Sequence, residues 1–183
     1  DFVSAIPHVI YDIESYDTST VRASVGNWLV SKYISENSDA KVVFNGDGAD
    51  ELMGGYLYMG KADNGLEFHS ECRRLLKEIH FFDVLRSDRS ISSHGLEART
   101  PFLDRSFVQM YLNLPIMVRF QPWRIEKYLL RDAFRPDKYK TPSGKAVLPE
   151  SILSMRKEAF SDGVTSVERT TKDVINDFVT KEL

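Results

Sequence analysis

KVVFNGDGADELMGG, residues 41–55, decides the fold. Its first part, KVVFN (41–45), is a short β-branched and aromatic run, which predicts a strand. Its second part, from Gly46 to Gly55, is a glycine-rich loop carrying Asp47, Asp50 and Glu51. Glycines at Gly46 and Gly48 let the backbone come close to a ligand and tolerate positive φ. In open α/β sheets, ligands sit just beyond the carboxyl ends of strands, where this loop falls. Three carboxylates clustered there suit a divalent cation, or a general base beside a phosphate-bearing substrate. From spacing alone, a solvated acidic turn fits as well. A calcium EF-hand loop does not fit, because Ala49 and Asp50 stand where a ligand and a glycine are required.

Upstream, HVIYDIE (8–14) reads as another apolar strand. YDTST (16–20) is a cluster of helix-capping side chains. Val21, Val25, Trp28, Leu29 and Tyr33 then recur at helical spacing, which predicts a helix over 21–35 with one apolar face. Strand, helix and strand in this order make a βαβ unit with parallel strands. Downstream the chain turns helical, over 66–79, 81–90, 106–112, 125–134 and 149–157, with an ordered turn at 96–104 and a loop at 141–146. The economical reading is a single α/β domain, a βαβ half over 1–60 and a helical part over 61–183, with no internal repeat.

Composition narrows the function classes. The chain has 183 residues, 24 Lys+Arg against 27 Asp+Glu, and a net charge of -3. That balance gives no electrostatic reason to expect nucleic acid or a membrane surface as partner. One cysteine, Cys72, excludes an intrachain disulfide framework. No apolar run approaches the roughly 20 residues of a membrane span, and the first residues lack a basic leader pattern, so a cytoplasmic setting is expected. His80 and His94 have no partner at ligand spacing, and Glu97 and Arg99 flank a tight turn, so structural roles fit them. KEAFSDG (157–163) reads either as a helix end with a favourable last-turn lysine, or as a lysine reaching into a cleft to hold an anion.

Taken together and in order, five runs resemble the C-terminal synthetase domain of glutamine-dependent asparagine synthetases. They are AIPHVIYDIESYDTSTVRAS (5–24), GDGADELMGGYLY (46–58), HGLEARTPFLD (94–104), EKYLLRDAF (126–134) and KEAFSDGV (157–164). The resemblance implies an adenine nucleotide alpha hydrolase-like fold of the PP-loop ATP pyrophosphatase type, with Mg²⁺ and ATP. It implies adenylation of the aspartate side chain, then amidation by ammonia drawn from glutamine in a separate glutaminase domain. It places Asn45 and Gly46 at the nucleotide, and Asp47 on the family's catalytic glutamate. Asp50 falls near the metal and pyrophosphate, with Glu51 beside it. Lys157 falls on the lysine that holds the phosphates or the intermediate, and Ser19, Thr20 and Arg22 on the aspartate-recognition group. A bidentate arginine fork suits a substrate α-carboxylate.

Departures bear on activity. Asp47 replaces the usual Glu and draws the carboxylate back by about 1.5 Å, and a misplacement of about 1 Å can cost roughly a hundredfold in rate. Asn45 and Ser19 replace a Ser and a Thr, and Met155 stands where the family has an arginine. A sister amide-forming ligase of the β-lactam synthetase type, or a non-catalytic remnant, is the alternative. The family's Ser-Gly-Gly-x-Asp-Ser loop and the glutaminase nucleophile do not occur in these residues. The expectation is therefore a partial domain, inactive alone as a synthetase, whose open parallel edge associates into a homodimer.

Overall fold

The computed structural model describes residues 2–157 and 180. Two compact units divide the described residues, the first built from 2–45 and 79–100, the second from 46–78 and 101–157. Both are mixed in sequence order, so each core is assembled from segments far apart in the chain.

The first unit opens with α1 (Phe2–Ile13), where a strand was expected over 8–14. Burial explains the correction. Ala5, Ile6, Val9 and Ile13 are buried while Tyr11 is 83% exposed, which is one face of a helix and not strand alternation. β-branched residues misled the reading, because tertiary packing overrides their propensity. Pro7 lies inside α1, where it lacks the N–H that would bond the carbonyl of Val3. Past α1, Glu14 takes a left-handed φ of 53°, and Arg89 Nη1 donates to the carbonyl of Ile13 at 2.5 Å, serving one of the helix's orphan acceptors.

Helix α2 (Thr18–Asn37) begins at Asp17, whose Oδ2 accepts from the backbone N–H and the hydroxyl of Thr20, each at 2.8 Å. Those two bonds hold the Asp17 carboxyl below its usual range. Val21, Val25 and Trp28 enter the core, but Tyr33, expected on the same face, is 68% exposed. Buried Ser24, Gly26 and Ser31 are small enough for α2 to lie close against α1 and α5 (Asp83–Ser92). Trp28 Nε1 donates to Asp12 at 2.6 Å, and its ring meets His94 edge-on with centroids 4.6 Å apart. Burial of its ring holds His94 below its ordinary value, which fits a structural role for this half-buried histidine.

Strand β1 (Val42–Phe44) forms as expected, and its parallel partner is β2 (Glu97–Arg99), in register Val42–Glu97, Val43–Ala98, Phe44–Arg99. The expected parallel pair of 8–14 with 41–45 does not form, because 8–14 is helical; β1 pairs in parallel instead with a segment read as a turn. Glu97 and Arg99 pair with each other at 2.6 Å on the exposed face, a contact worth about 0–1 kcal/mol. Phe44 is 79% exposed.

The second unit packs α3 (Ala49–Met53) against α4 (Gly65–Glu78) and α6 (Arg105–Leu112). Leu52, Met53, Ala49 and Tyr111 form its centre, with Leu76, Phe107 and Leu130 around them. Helices α7 (Ile116–Arg119), α8 (Tyr128–Ala133) and α9 (Glu150–Leu153) complete it. Helices α8 and α9 are shorter than the expected 125–134 and 149–157. The 141–146 loop is present, closed by a single antiparallel bridge between Lys140 and Ala146. Cys72 is buried on α4 and its thiol is pushed up to about 12 by burial, so it is inert packing.

The corrected α1 and α2 faces give a direct check. Ile13, 1% exposed, should lose about 2–5 kcal/mol on Ile13→Ala in denaturant unfolding, while Tyr33→Ala should stay within about 0.5 kcal/mol of the parent. Equal losses would contradict the burial pattern.

Candidate functional site

Beyond β1 the chain turns at Gly46 and Asp47 and enters α3. Gly48, with φ 89°, is the cap residue, and its conformation is one that side chains rarely adopt. Ala49 N–H donates to the Gly46 carbonyl at 3.2 Å, and Leu52 N–H to the Gly48 carbonyl at 2.9 Å. These bonds start a one-turn helix on which Asp50 and Glu51, as consecutive residues, point in different directions.

Glu51 faces inward. It is 2% exposed, and its carboxylate accepts a hydrogen bond from the hydroxyl of Tyr56. A charge buried this far must be hydrogen-bonded. Asp50 faces two cations. Its Oδ1 pairs with Lys127 Nζ, and its Oδ2 lies 3.1 Å from Lys157 Nζ. All three side chains are only 16–23% exposed, so the pairs are partly shielded from solvent. Lys157 Nζ also lies 5.9 Å from the centre of the Tyr56 ring. Asp50 thus stands between two ammonium groups.

Gly55 allows the arrangement. A Cβ on it would fall 2.6 Å from Asp50 Cγ and 2.9 Å from Asp50 Cα, and the backbone N–H of Gly55 donates to the Asp50 carbonyl at 2.8 Å. The glycine is therefore a matter of space for the Asp50 side chain.

The lysines reach Asp50 by different routes. Helix α9 ends at Leu153, so Lys157 lies in extended chain beyond it and not in a last helical turn. The rest of KEAFSDG, residues 158–163, lies outside the described residues. Lys127 is the residue sequence reasoning missed. It caps α8 with φ 56° and ψ 31°, a left-handed conformation costly for a residue with a long side chain. Such outliers persist where the surroundings over-determine them, often at functional sites. The available signal was its place in EKYLLRDAF, in front of a helix with no capping side chain.

The other expected site residues are placed as follows. Asn45 donates its backbone N–H to the Arg99 carbonyl at 2.9 Å, extending the β1–β2 ladder. Gly46 is exposed, with open space where a Cβ would point, and Asp47 is half-buried in the turn after it. Ser19, Thr20 and Arg22 occupy the first turns of α2 in the first unit. Ser19 is exposed, and the Thr20 hydroxyl is committed to the Asp17 cap.

Among the described residues, no three His, Cys, Asp or Glu side chains gather closely enough to hold a metal. Asp47, Asp50 and Glu51 thus do not make a cage by themselves. Mg²⁺ ordinarily takes one or two carboxylates and finds its remaining ligands in water and substrate phosphates. Asp50 fits that mode as a single carboxylate. No helix among the described residues is long and apolar enough to cross a membrane.

The second unit thus brings Asp50, Lys127 and Lys157 together from three separate parts of the chain. The asparagine synthase family model matches residues 1–70 and 61–182, and the chain belongs to that family. It is 45% identical over 181 residues to the glutamine-hydrolysing asparagine synthetase of Gallus gallus, covering 99% of this chain and 31% of that protein. The Rattus norvegicus and Homo sapiens asparagine synthetases are 47% and 45% identical over 177 residues, covering 97% of this chain and 30% of each. The chain therefore spans about a third of the length of these curated relatives.

Space at Gly55 is open to test. Gly55→Ala should displace the Asp50 carboxylate and destabilise the second unit by about 1–3 kcal/mol in thermal or denaturant unfolding. Gly46→Ala, where a Cβ meets nothing, should be close to neutral. Equal behaviour of the two would contradict the steric account.

Proposed function

We propose that this chain carries part of the ATP-dependent amide-forming site of an asparagine synthetase, on an α/β fold of the PP-loop ATP pyrophosphatase type. An oxygen of the aspartate side-chain carboxylate attacks the α-phosphorus of ATP. The bond to the bridging oxygen breaks, pyrophosphate leaves, and the carboxylate becomes an acyl adenylate. Ammonia, supplied from glutamine by a glutaminase domain, then attacks the acyl carbon. The C–O bond to AMP breaks, and the surplus proton of the amine passes to a carboxylate base.

The observation that carries this reading is the pair of lysines on Asp50. Negative charge builds on the departing pyrophosphate, and cations already in place stabilise it without reorganising. Lys127 and Lys157 are suited to that task, with Asp50 holding them at a fixed spacing until the polyphosphate arrives. Tyr56 and the buried Glu51 brace the same turn. Mg²⁺, when bound with the phosphates, would neutralise further charge, with Asp50 as its protein ligand.

Family resemblance supports the remaining roles. Asn45 and Gly46 approach the nucleotide, Asp47 accepts the proton, and Ser19, Thr20 and Arg22 recognise aspartate. Because Thr20 Oγ1 already donates to Asp17, Arg22 is the strongest of the three for gripping the α-carboxylate. Asp47 in place of Glu also favours a second reading, an amide-forming ligase acting on a different carboxylic acid.

Calorimetric titration of the chain with pyrophosphate in the presence of Mg²⁺ tests the carrying observation. Saturable binding is expected, weakened about tenfold, or 1.4 kcal/mol, by Lys127→Met and by Lys157→Met. Binding that neither substitution alters would contradict the proposal.

A further inference from the structure

At the Asp50 locus, Lys157 meets an aromatic ring as well as a carboxylate. Its Nζ lies 3.1 Å from Asp50 Oδ2 and 5.9 Å from the centre of the Tyr56 ring, over its face. An ammonium within about 6 Å of an aromatic centre is attracted by the negative face of the ring. The Tyr56 ring is therefore a second hold on this lysine, and whatever fixes the ring fixes where the ammonium rests.

Two neighbours fix it. The Tyr56 hydroxyl donates to the Glu51 carboxylate, and a hydrogen bond to a charged acceptor is among the stronger ones. Tyr58 stacks on the same ring, with centroids 6.0 Å apart and planes inclined by 15°. Tyr58 is held in its turn. Its hydroxyl donates to Glu71 at 2.6 Å, and Arg74 grips that carboxylate with two bonds, of 2.7 and 2.8 Å. The Tyr56 ring cannot swing away without breaking its bond to Glu51 and leaving the Tyr58 stack.

Glu51 follows Asp50 directly in α3, yet the two carboxylates are offered to different things. Glu51 is 2% exposed, whereas the Asp50 side chain keeps 20% of its surface open. A carboxylate sealed this far and already accepting from a phenol is not offered to a nucleotide or a metal. Its charge acts through the ring instead. A phenol that donates to a carboxylate gains electron density, which strengthens the attraction of its face for a cation. The two acids of α3 thus hold Lys157 by separate routes, Asp50 directly and Glu51 through Tyr56. The second route does not pass through Asp50, so it persists when that carboxylate is engaged elsewhere.

We propose that Tyr56 is a positioning residue for Lys157 and that Glu51, through its bond to the phenol, positions Tyr56. The ammonium then keeps its place when Asp50 turns to an incoming polyphosphate. The benefit to polyphosphate binding rests on the proposed function of the site; the hold of Tyr56 on Lys157 does not.

A double-mutant cycle on the calorimetric titration with pyrophosphate and Mg²⁺ tests the assignment. Tyr56→Leu should weaken binding about three- to fivefold in the parent chain, and should cost nothing further once Lys157→Met is in place. Tyr56→Phe, which keeps the ring, should recover most of that loss. Glu51→Gln should cost part of it in the parent and add nothing in Tyr56→Phe, because both changes act on one bond. Equal losses from Tyr56→Leu with and without Lys157→Met would show a merely structural role and overturn the proposal, while the weakening by Lys157→Met alone would leave the pyrophosphate reading standing. If Lys157→Met leaves pyrophosphate binding unchanged, that reading fails, and the positioning role is decided in the ligand-free parent chain by NMR. Cross-relaxation between the Lys157 ε-methylene and Tyr56 ring protons is expected there, and its absence refutes the role. The same measurement decides the matter if Tyr56→Leu does not fold.

Discussion

The second unit depends on one carboxylate meeting two lysines. Asp50 sits in a helix of a single turn, which hydrogen bonding alone could not sustain in water. Leu52 and Met53 anchor that turn from below, and Lys127 and Lys157 hold it from above. The lysines come from distant parts of the chain, so the ion pairs fix the positions of the segments before α8 and after α9. Gly55 and the left-handed backbone of Lys127 are the conformational costs of bringing these charges together.

This arrangement changes the meaning of the acidic loop. Read as a string, Asp47, Asp50 and Glu51 look like a cation-binding cluster. In three dimensions the helix sends Asp50 and Glu51 apart, one to the lysines and one to Tyr56. What remains is one acid, Asp50, held between two ammonium groups.

Much of this was legible in advance, for physical reasons that differ by element. Strand β1 and the turn after it could be read because a short apolar run ending in glycines has few other uses. Lys157 stood out because its surroundings resemble a family motif, and the structure sets it beside Asp50. Helix α1 was misread because HVIYDIE carries strand-like residues, while its burial follows a helical period set by α2 and α5. Strand β2 was invisible because EAR has no apolar signature; its pairing with β1 is a long-range event. Lys127 was missed for the same reason: its significance lies in a helix start without a capping side chain and in its long-range pair with Asp50, and neither is written in local sequence.

The central claim is that Asp50 poises Lys127 and Lys157 for a polyphosphate. A structure of the chain with magnesium and pyrophosphate bound tests it most directly. The account predicts pyrophosphate oxygens within hydrogen-bonding distance of both Nζ atoms, with Asp50 beside them. Pyrophosphate bound away from both lysines, with the Asp50 pairs undisturbed, would contradict it.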